Sequence, residues 1–327
     1  MGNSHFVELY SNLAVSKHMD VLVGADYRRQ GTDQRYFSLS SFGPFNTMLG
    51  DSAAVKQLGI YASVLVKDVA GFNVELGGRY NNFSKYGNVF TFSFNPSYVI
   101  HKKVKLFVNI ASGFKAPSLY QVYSEYRNPY KELDPELSLS LEGGIQYKKE
   151  NVNLRAVYFI RNMKDNIDFF SAGPPNYESY YINANKQKDK GFELEANIDF
   201  GKVTLTGNYM NMDGMIETRS GTKDTAFFNL YRRPKQLINL NAGMDILKGW
   251  SVNIGIQSVG KRMEAVYGAP PIEMPAYFNW NLYSSWNITS TVKMFADLKN
   301  ITGEKYFEVL GYNSRRFNFM AGVSAKF

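Results

Sequence analysis

The sequence predicts an all-β fold, a transmembrane antiparallel β-barrel, from three observations. Apolar residues recur at every second position, connections alternate between short and long, and aromatic residues collect where the periodic segments end. A two-residue period puts alternate side chains on opposite faces of a sheet. About 15 such segments, each roughly 10–20 residues long, begin near residues 5, 21, 55, 72, 88, 103, 137, 151, 179, 202, 235, 250, 275, 291 and 315. From Leu137 the chain sets Leu137, Leu139, Leu141, Ile145 and Tyr147 against Ser138, Ser140, Glu142, Gln146 and Lys148. Phe192, Leu194, Ala196, Ile198 and Phe200 alternate with Glu193, Glu195, Asn197 and Asp199. The final segment sets Phe317, Phe319, Ala321, Val323, Ala325 and Phe327 against Arg316, Asn318, Ser324 and Lys326.

The connections supply the second argument. Short ones fall at 16–20, 68–71, 101–103, 148–151, 199–202, 247–249 and 287–290. Longer ones fall between them, at 31–54, 81–87, 118–136, 171–178, 219–234, 266–274 and 309–314. Short periplasmic turns alternating with long external loops are the layout of an outer-membrane barrel. A soluble sandwich or propeller also alternates, but its strands are typically about 5–6 residues long. Longer segments ending in Tyr, Phe or Trp fit a lipid-facing band with aromatic girdles, as Trp250, Phe278, Trp280 and Trp286 illustrate.

Composition narrows the chemistry. The 327 residues include 3 Trp, 23 Tyr and 24 Phe, too aromatic for a disordered chain. The absence of cysteine excludes disulfides, thiolate zinc sites and cysteine nucleophiles. No apolar run is long enough to cross a membrane as a helix. The opening MGNSHFV lacks the basic-then-apolar pattern of an export signal. The three histidines, His5, His18 and His101, are scattered, and none lies near a Gly-x-Ser-x-Gly turn. No HExxH, EF-hand, Walker or Rossmann signature is present in its required context, so neither an enzyme nor a bound cofactor is expected. Glu193, Glu195 and Asp199 share a parity, which a water-filled lumen explains more simply than a metal strip. The net charge of +8 is spread over lumenal positions, turns and loops, not one nucleic-acid-binding face.

Several stretches carry a family resemblance. SGFKAPSLYQVYSEYRNPYKELDPELSLSLEGG (112–144) resembles a hallmark of TonB-dependent outer-membrane receptors: a strand ending in FKAP, an aromatic loop, an Asn-Pro step and a DPE segment opening the next strand. NANKQKDKGFELEANIDF (183–200), LYRRPKQLINL (230–240) and LKNITGEKYFEVLGY (298–312) are similar to further family strands, the last to the penultimate one. The chain ends on Phe327, as these receptors end on an aromatic residue. The resemblance implies an outer-membrane location in a Gram-negative bacterium and active transport powered by the TonB complex. It also implies a barrel of about 22 strands around a plug. Residues 1–327 then correspond to the C-terminal part of the barrel, with the plug and roughly seven strands absent. Strands near 5–15 and 315–327 are expected to present unpaired edges.

Within the family, the likeness is greatest to the vitamin B12 receptor subgroup, so a corrinoid is the expected ligand. An iron–siderophore chelate is the alternative, and a passive porin a more distant one. Haem is disfavoured because residues 112–136 contain no histidine. By the resemblance, Tyr312 matches a ligand-contacting tyrosine, and Arg232 or Arg233 a basic position at the pocket edge. Tyr312 also suits an interfacial anchor, and the arginines a solvated strand end or a lipopolysaccharide contact. Tyr120, Tyr123, Tyr126 and Tyr130, with Arg127, form an aromatic loop suited to ligand contact or to packing over the barrel mouth. Phe114–Pro117 reads as structural. The expected partners are the small-molecule ligand, outer-membrane lipid and lipopolysaccharide, TonB through the plug, and the barrel-assembly machinery that reads the terminal aromatic strand; no nucleic acid is expected.

Overall fold

The computed structural model describes residues 2–41, 43–49, 53–172, 177–220, 223–228, 231–266 and 269–326. The strands are β1 (Gly2–Ser16), β2 (Met19–Thr32), β3 (Gln34–Ser40), β4 (Gly43–Leu49), β5 (Ala54–Val69), β6 (Phe72–Phe83), β7 (Gly87–Ile100) and β8 (Val104–Lys115). A five-residue helix, α1 (Leu119–Tyr123), follows. Then come β9 (Glu136–Lys149), β10 (Val152–Ser171), β11 (Ser179–Asp199), β12 (Val203–Ser220), β13 (Lys223–Phe228) and β14 (Gln236–Leu247). The chain continues through β15 (Trp250–Val259), β16 (Arg262–Val266), β17 (Ala269–Met274), β18 (Tyr277–Asn287), β19 (Val292–Lys299) and β20 (Asn318–Ala325).

One antiparallel wall dominates, in the order β1-β2-β5-β6-β7-β8-β9-β10-β11-β12-β14-β15-β18-β19-β20, with β13 paired to the extended end of β12. The path contains 15 strands, each starting within three residues of its sequence-predicted position. β1 and β20 stand at the two ends of this order, and every residue of β1 is exposed. Successive strands of the wall are therefore neighbours in space, with β3–β4, β13 and β16–β17 set outside the path, as antiparallel connections allow.

Register shows how the period becomes two chemically different faces. One cross-strand row runs Tyr147, Leu154, Ala196, Gly207, Leu240, Ile256 and Trp280. The adjacent row runs Gln146, Arg155, Glu195, Asn208, Asn239, Gln257 and Asn279. The first row is apolar or small and belongs to the lipid face. The second is polar throughout and belongs to the lumenal face. A slip of one residue would exchange the rows, so the hydropathy pattern specifies the register. Ion pairs knit the polar face across strands, among them Arg79–Asp26 at 2.5 Å, Lys67–Asp20 at 2.6 Å and Arg155–Glu195 at 3.1 Å.

Most large apolar side chains stay exposed because they face outward, Leu9 (80%) and Phe90 (63%) among them. Among the described residues, a buried cluster of Val55, Phe83 and Val89 lies at the long-loop end. Tyr86, Phe114, Ala116, Leu119, Tyr123 and Leu137 pack against it. The FKAP segment thus serves the structural role expected of it.

The structure departs from the sequence expectation in three places. Parts of the regions expected as loops at 31–54, 219–234 and 266–274 form β3–β4, the β12–β13 extension and β16–β17. These strands are too short to display a period. Residues 298–312, which resemble a penultimate strand, are mostly loop, since β19 ends at Lys299. Asn300 turns the chain there with φ +49°; its amide accepts from Glu304 N at 2.9 Å and donates to Glu304 O at 2.9 Å. Finally, α1 interrupts the aromatic loop. Ser118 and Gln121 form a capping box, a signal that S-x-x-Q carries in the sequence.

Candidate functional site

The candidate residues all lie at the long-loop end of the wall, where the two-faced sheet gives way to a rim. In the loop after β8, the Ser118–Gln121 box starts α1 and sets its tyrosines. Tyr123 turns toward the wall: its hydroxyl donates to Ala54 O at 2.7 Å, and the Lys85 ammonium lies 5.5 Å from its ring centre. Tyr120 lies 6.5 Å from the Tyr126 ring and 6.4 Å from the Tyr181 ring. Tyr126 and Tyr181 both meet Phe169 edge-on, at 5.3 and 5.2 Å. Backbone bonds reinforce the contact, with Tyr181 N donating to Tyr126 O and Asn128 Nδ2 donating to Tyr181 O, both at 3.0 Å. The loop is therefore stitched to the extension of β10 and β11.

Tyr130 packs at 5.5 Å on Tyr180 and donates its hydroxyl to Glu178 at 3.0 Å, yet it stays 70% exposed. That hydrogen bond to a carboxylate holds its phenol above the usual tyrosine range. Arg127 N donates to Ser124 O at 3.0 Å. Its side chain lines a cavity of about 270 Å³ together with Lys85, Tyr123, Asn128, Lys131 and Glu132.

Arg232 and Arg233 diverge. Arg232 is left-handed at φ +62°, its backbone N donates to Met263 O at 2.8 Å, and its Nε donates to Glu264 Oε1 at 2.7 Å. The Glu264 side chain is buried, and the hydrogen bond to it raises the Arg232 pKa still further. Arg233 reaches β11 instead, where its Nη1 lies 3.5 Å from Asp189 Oδ2. Arg161 on β10 donates to both Asp189 oxygens. Tyr312 sits in the β19–β20 loop, its N donating to Val309 O at 3.1 Å, and is 73% exposed. The structure brings Tyr312 within electrostatic reach of Arg232.

Six of the eight candidates thus fall into two groups: Tyr120, Tyr126 and Tyr130 pack on the β10–β11 extension, and Arg232, Arg233 and Tyr312 lie in the β13–β14 and β19–β20 loops. Tyr123 and Arg127 line the cavity beside Lys85. Tyr231 adjoins the first group: burial, then the nearby Asp168 charge, raises its phenol pKa. The sequence reading missed Phe169, Tyr181, Glu178, Asp189 and Glu264. Only Phe169 and Tyr181 left a trace, as aromatics flanking a long connection. On the lumenal side, Glu195 pairs with Arg155. Among the described residues no group of three or more His, Asp or Glu is gathered as a metal site. A cavity of about 560 Å³ lies below the rim, lined by polar side chains, Asp26, Arg28 and Arg79 among them, and equally by apolar ones such as Val55, Phe83 and Phe114.

This architecture recurs in solved structures. All of this chain aligns with the siderophore receptor PirA from Acinetobacter baumannii, at 18% identity and a TM-score of 0.77, covering 55% of that chain. The copper transporter OprC aligns at 14% identity and a TM-score of 0.79, covering 56% of that chain. The FrpB iron transporter from Neisseria meningitidis aligns at 13% identity and a TM-score of 0.78, covering 55% of that chain. The chain spans about half the length of these structures, which share its fold. The family described as TonB dependent receptor-like, beta-barrel matches residues 2–301. The two-faced wall and its loop rim therefore belong to a member of the TonB-dependent receptor β-barrel family, whose barrels stand in the outer membrane of Gram-negative bacteria.

Proposed function

We propose that the chain forms the wall and external rim of an active-transport receptor for an iron–siderophore chelate, and that it performs no covalent chemistry. The observation that carries this reading is the set of exposed phenols on the rim: Tyr130, Tyr177 and Tyr312 are 70%, 72% and 73% exposed. Tyrosine offers a broad contact face and a hydrogen-bonding tip with few rotors to immobilise. Arg127 and Lys131, in the same loop as Tyr130, line the cavity of about 270 Å³. Cations with aromatic faces suit a bulky anionic chelate, and the net charge of +8 favours its approach. Solved structures sharing the fold include a siderophore receptor and an iron transporter. This reading assigns gating and TonB contact to a plug outside the chain.

A corrinoid is the second reading. It is supported by the likeness of residues 112–144, 183–200 and 230–240 to the vitamin B12 subgroup, and by Tyr312, exposed at the rim within electrostatic reach of Arg232. The two readings separate in one experiment on the receptor with its plug, namely fluorescence titration with ferric enterobactin and with cyanocobalamin. Saturable binding of the iron chelate, weakened about tenfold or more by Tyr130→Ala, supports the first reading. Saturable cyanocobalamin binding lost on Tyr312→Ala replaces it with the second. Steady ion conductance without ligand dependence would leave a passive pore instead.

A further inference from the structure

The opposite end of the wall carries a feature that ligand capture does not use. The β7–β8 and β9–β10 turns are neighbours, because β8 pairs with β9. Lys148 N donates to Lys103 O at 2.8 Å, which sets the two turns side by side. They gather His101, Lys102, Lys103, Lys148 and Lys149, with Lys105 one step further along β8, against the single carboxylate of Glu150. All of these side chains are exposed, and among the described residues none of the five lysines has a carboxylate within 4.0 Å.

Two independent observations indicate what the cluster faces. First, it begins where the outward apolar face ends. Phe72, Tyr98, Leu106 and Ile145 are register neighbours, all exposed on the lipid face, and the basic turns follow within a few residues. Aromatic and aliphatic residues followed by lysines mark the depth of the headgroups, into which lysine extends its charge. Second, the β7–β8 turn is built against preference. Lys103 N donates to Ile100 O at 3.0 Å, and both central residues are left-handed, His101 at φ +49° and Lys102 at φ +58°. Asn-Gly suits such a pair of positions, whereas side chains like these are strained there. Two cationic or titratable residues in that place point to a role for the charge.

We propose that this basic pair of turns binds the phosphates of anionic phospholipids, such as phosphatidylglycerol, in the leaflet on the short-turn side. In an outer-membrane barrel short turns are periplasmic. Clustered lysines at a membrane surface attract anionic headgroups through their summed field. The site needs no ligand, plug or TonB contact, so it stands or falls separately from the uptake reading.

The test is native mass spectrometry of the protein extracted from outer membranes into a mild detergent, with added dioleoyl phosphatidylglycerol or dioleoyl phosphatidylcholine. The expected result is retention of the anionic lipid at least about fivefold above the zwitterionic one. That preference should fall to parity in K102Q/K103Q/K148Q/K149Q, and it should weaken as salt is raised in the unmodified protein. The variant K202Q/K248Q, altered in other short turns, should keep it. Equal retention of the two lipids, or an undiminished preference in the quadruple variant, overturns the proposal. Displacement of the anionic lipid by millimolar inorganic phosphate would also overturn it, in favour of a soluble anion. If the quadruple variant does not assemble into a heat-modifiable barrel, K102Q/K103Q and K148Q/K149Q are measured separately, and each should lose part of the preference.

Discussion

Arg233 and Asp189 meet at 3.5 Å, joining the turn before β14 to the lumenal face of β11. Asp189 has no exposed side-chain surface, and Arg161 already holds both of its oxygens. A buried carboxylate shared by two guanidiniums from different elements is a clamp on the β12–β14 loop. Removing one partner strands the other's charge in a desolvated place. Arg161→Met should therefore lower stability by about 2 kcal/mol, the arginine's partial exposure reducing the full cost of a broken buried pair. Arg233→Met should cost clearly less. Denaturant unfolding of both variants checks the order, and equal effects would show that the two arginines are not ranked by their contact with Asp189.

The two faces of the wall make a prediction that does not depend on any ligand. Leu141 is exposed near the middle of β9 on the apolar face, while Ser140 beside it faces the lumen. Leu141→Arg should cost about 2–4 kcal/mol when folded into vesicles, and Ser140→Arg about 1 kcal/mol or less. Reversed or equal costs, measured by folding titration into lipid vesicles, would mean that the lipid and lumenal faces have been interchanged.

Gly191 marks a close approach of β11 to its neighbours. A Cβ built there would run into Asn211 O, the Phe159 ring and the Met212 backbone. Two of these contacts are backbone, so the neighbours cannot simply rotate away. Gly191→Val should destabilise the β10–β12 segment by about 1–3 kcal/mol. Assembly assayed by the heat-modifiable gel shift should show a smaller folded fraction, and wild-type yield would refute the close packing.

Tyr86, in the β6–β7 turn, links pH to stability. Burial pushes its phenol up to about 12 from an ordinary value of 10.0, and its hydroxyl donates to Pro117 O at 3.2 Å. A folded-state pKa above the unfolded value means that the contribution is complete below pH 10 and is lost as pH rises through about 12. The stability difference between the wild type and Tyr86→Phe should stay level to about pH 9 and narrow between pH 10 and 12. A difference that persists unchanged to pH 12 would contradict it.

Much of the architecture was legible in the chain alone. Leu137 to Tyr147 and Phe192 to Phe200 display their faces by parity, and the short connections then place each strand beside the next, because an antiparallel return leaves it no other neighbour. The register rows through Arg155 and Leu154 follow from the same alternation. The rim was not legible in this way. Hydropathy cannot say that Arg233 turns to Asp189 while Arg232 turns to Glu264, because each partner arrives from a different loop. Nor does it say that Tyr126 meets Phe169 edge-on, or that Asn300 ends β19 early. Alternation is a local property that burial against lipid enforces residue by residue. Contacts between loops depend on where strand lengths and turn dihedrals carry the chain, and only the tertiary structure decides that.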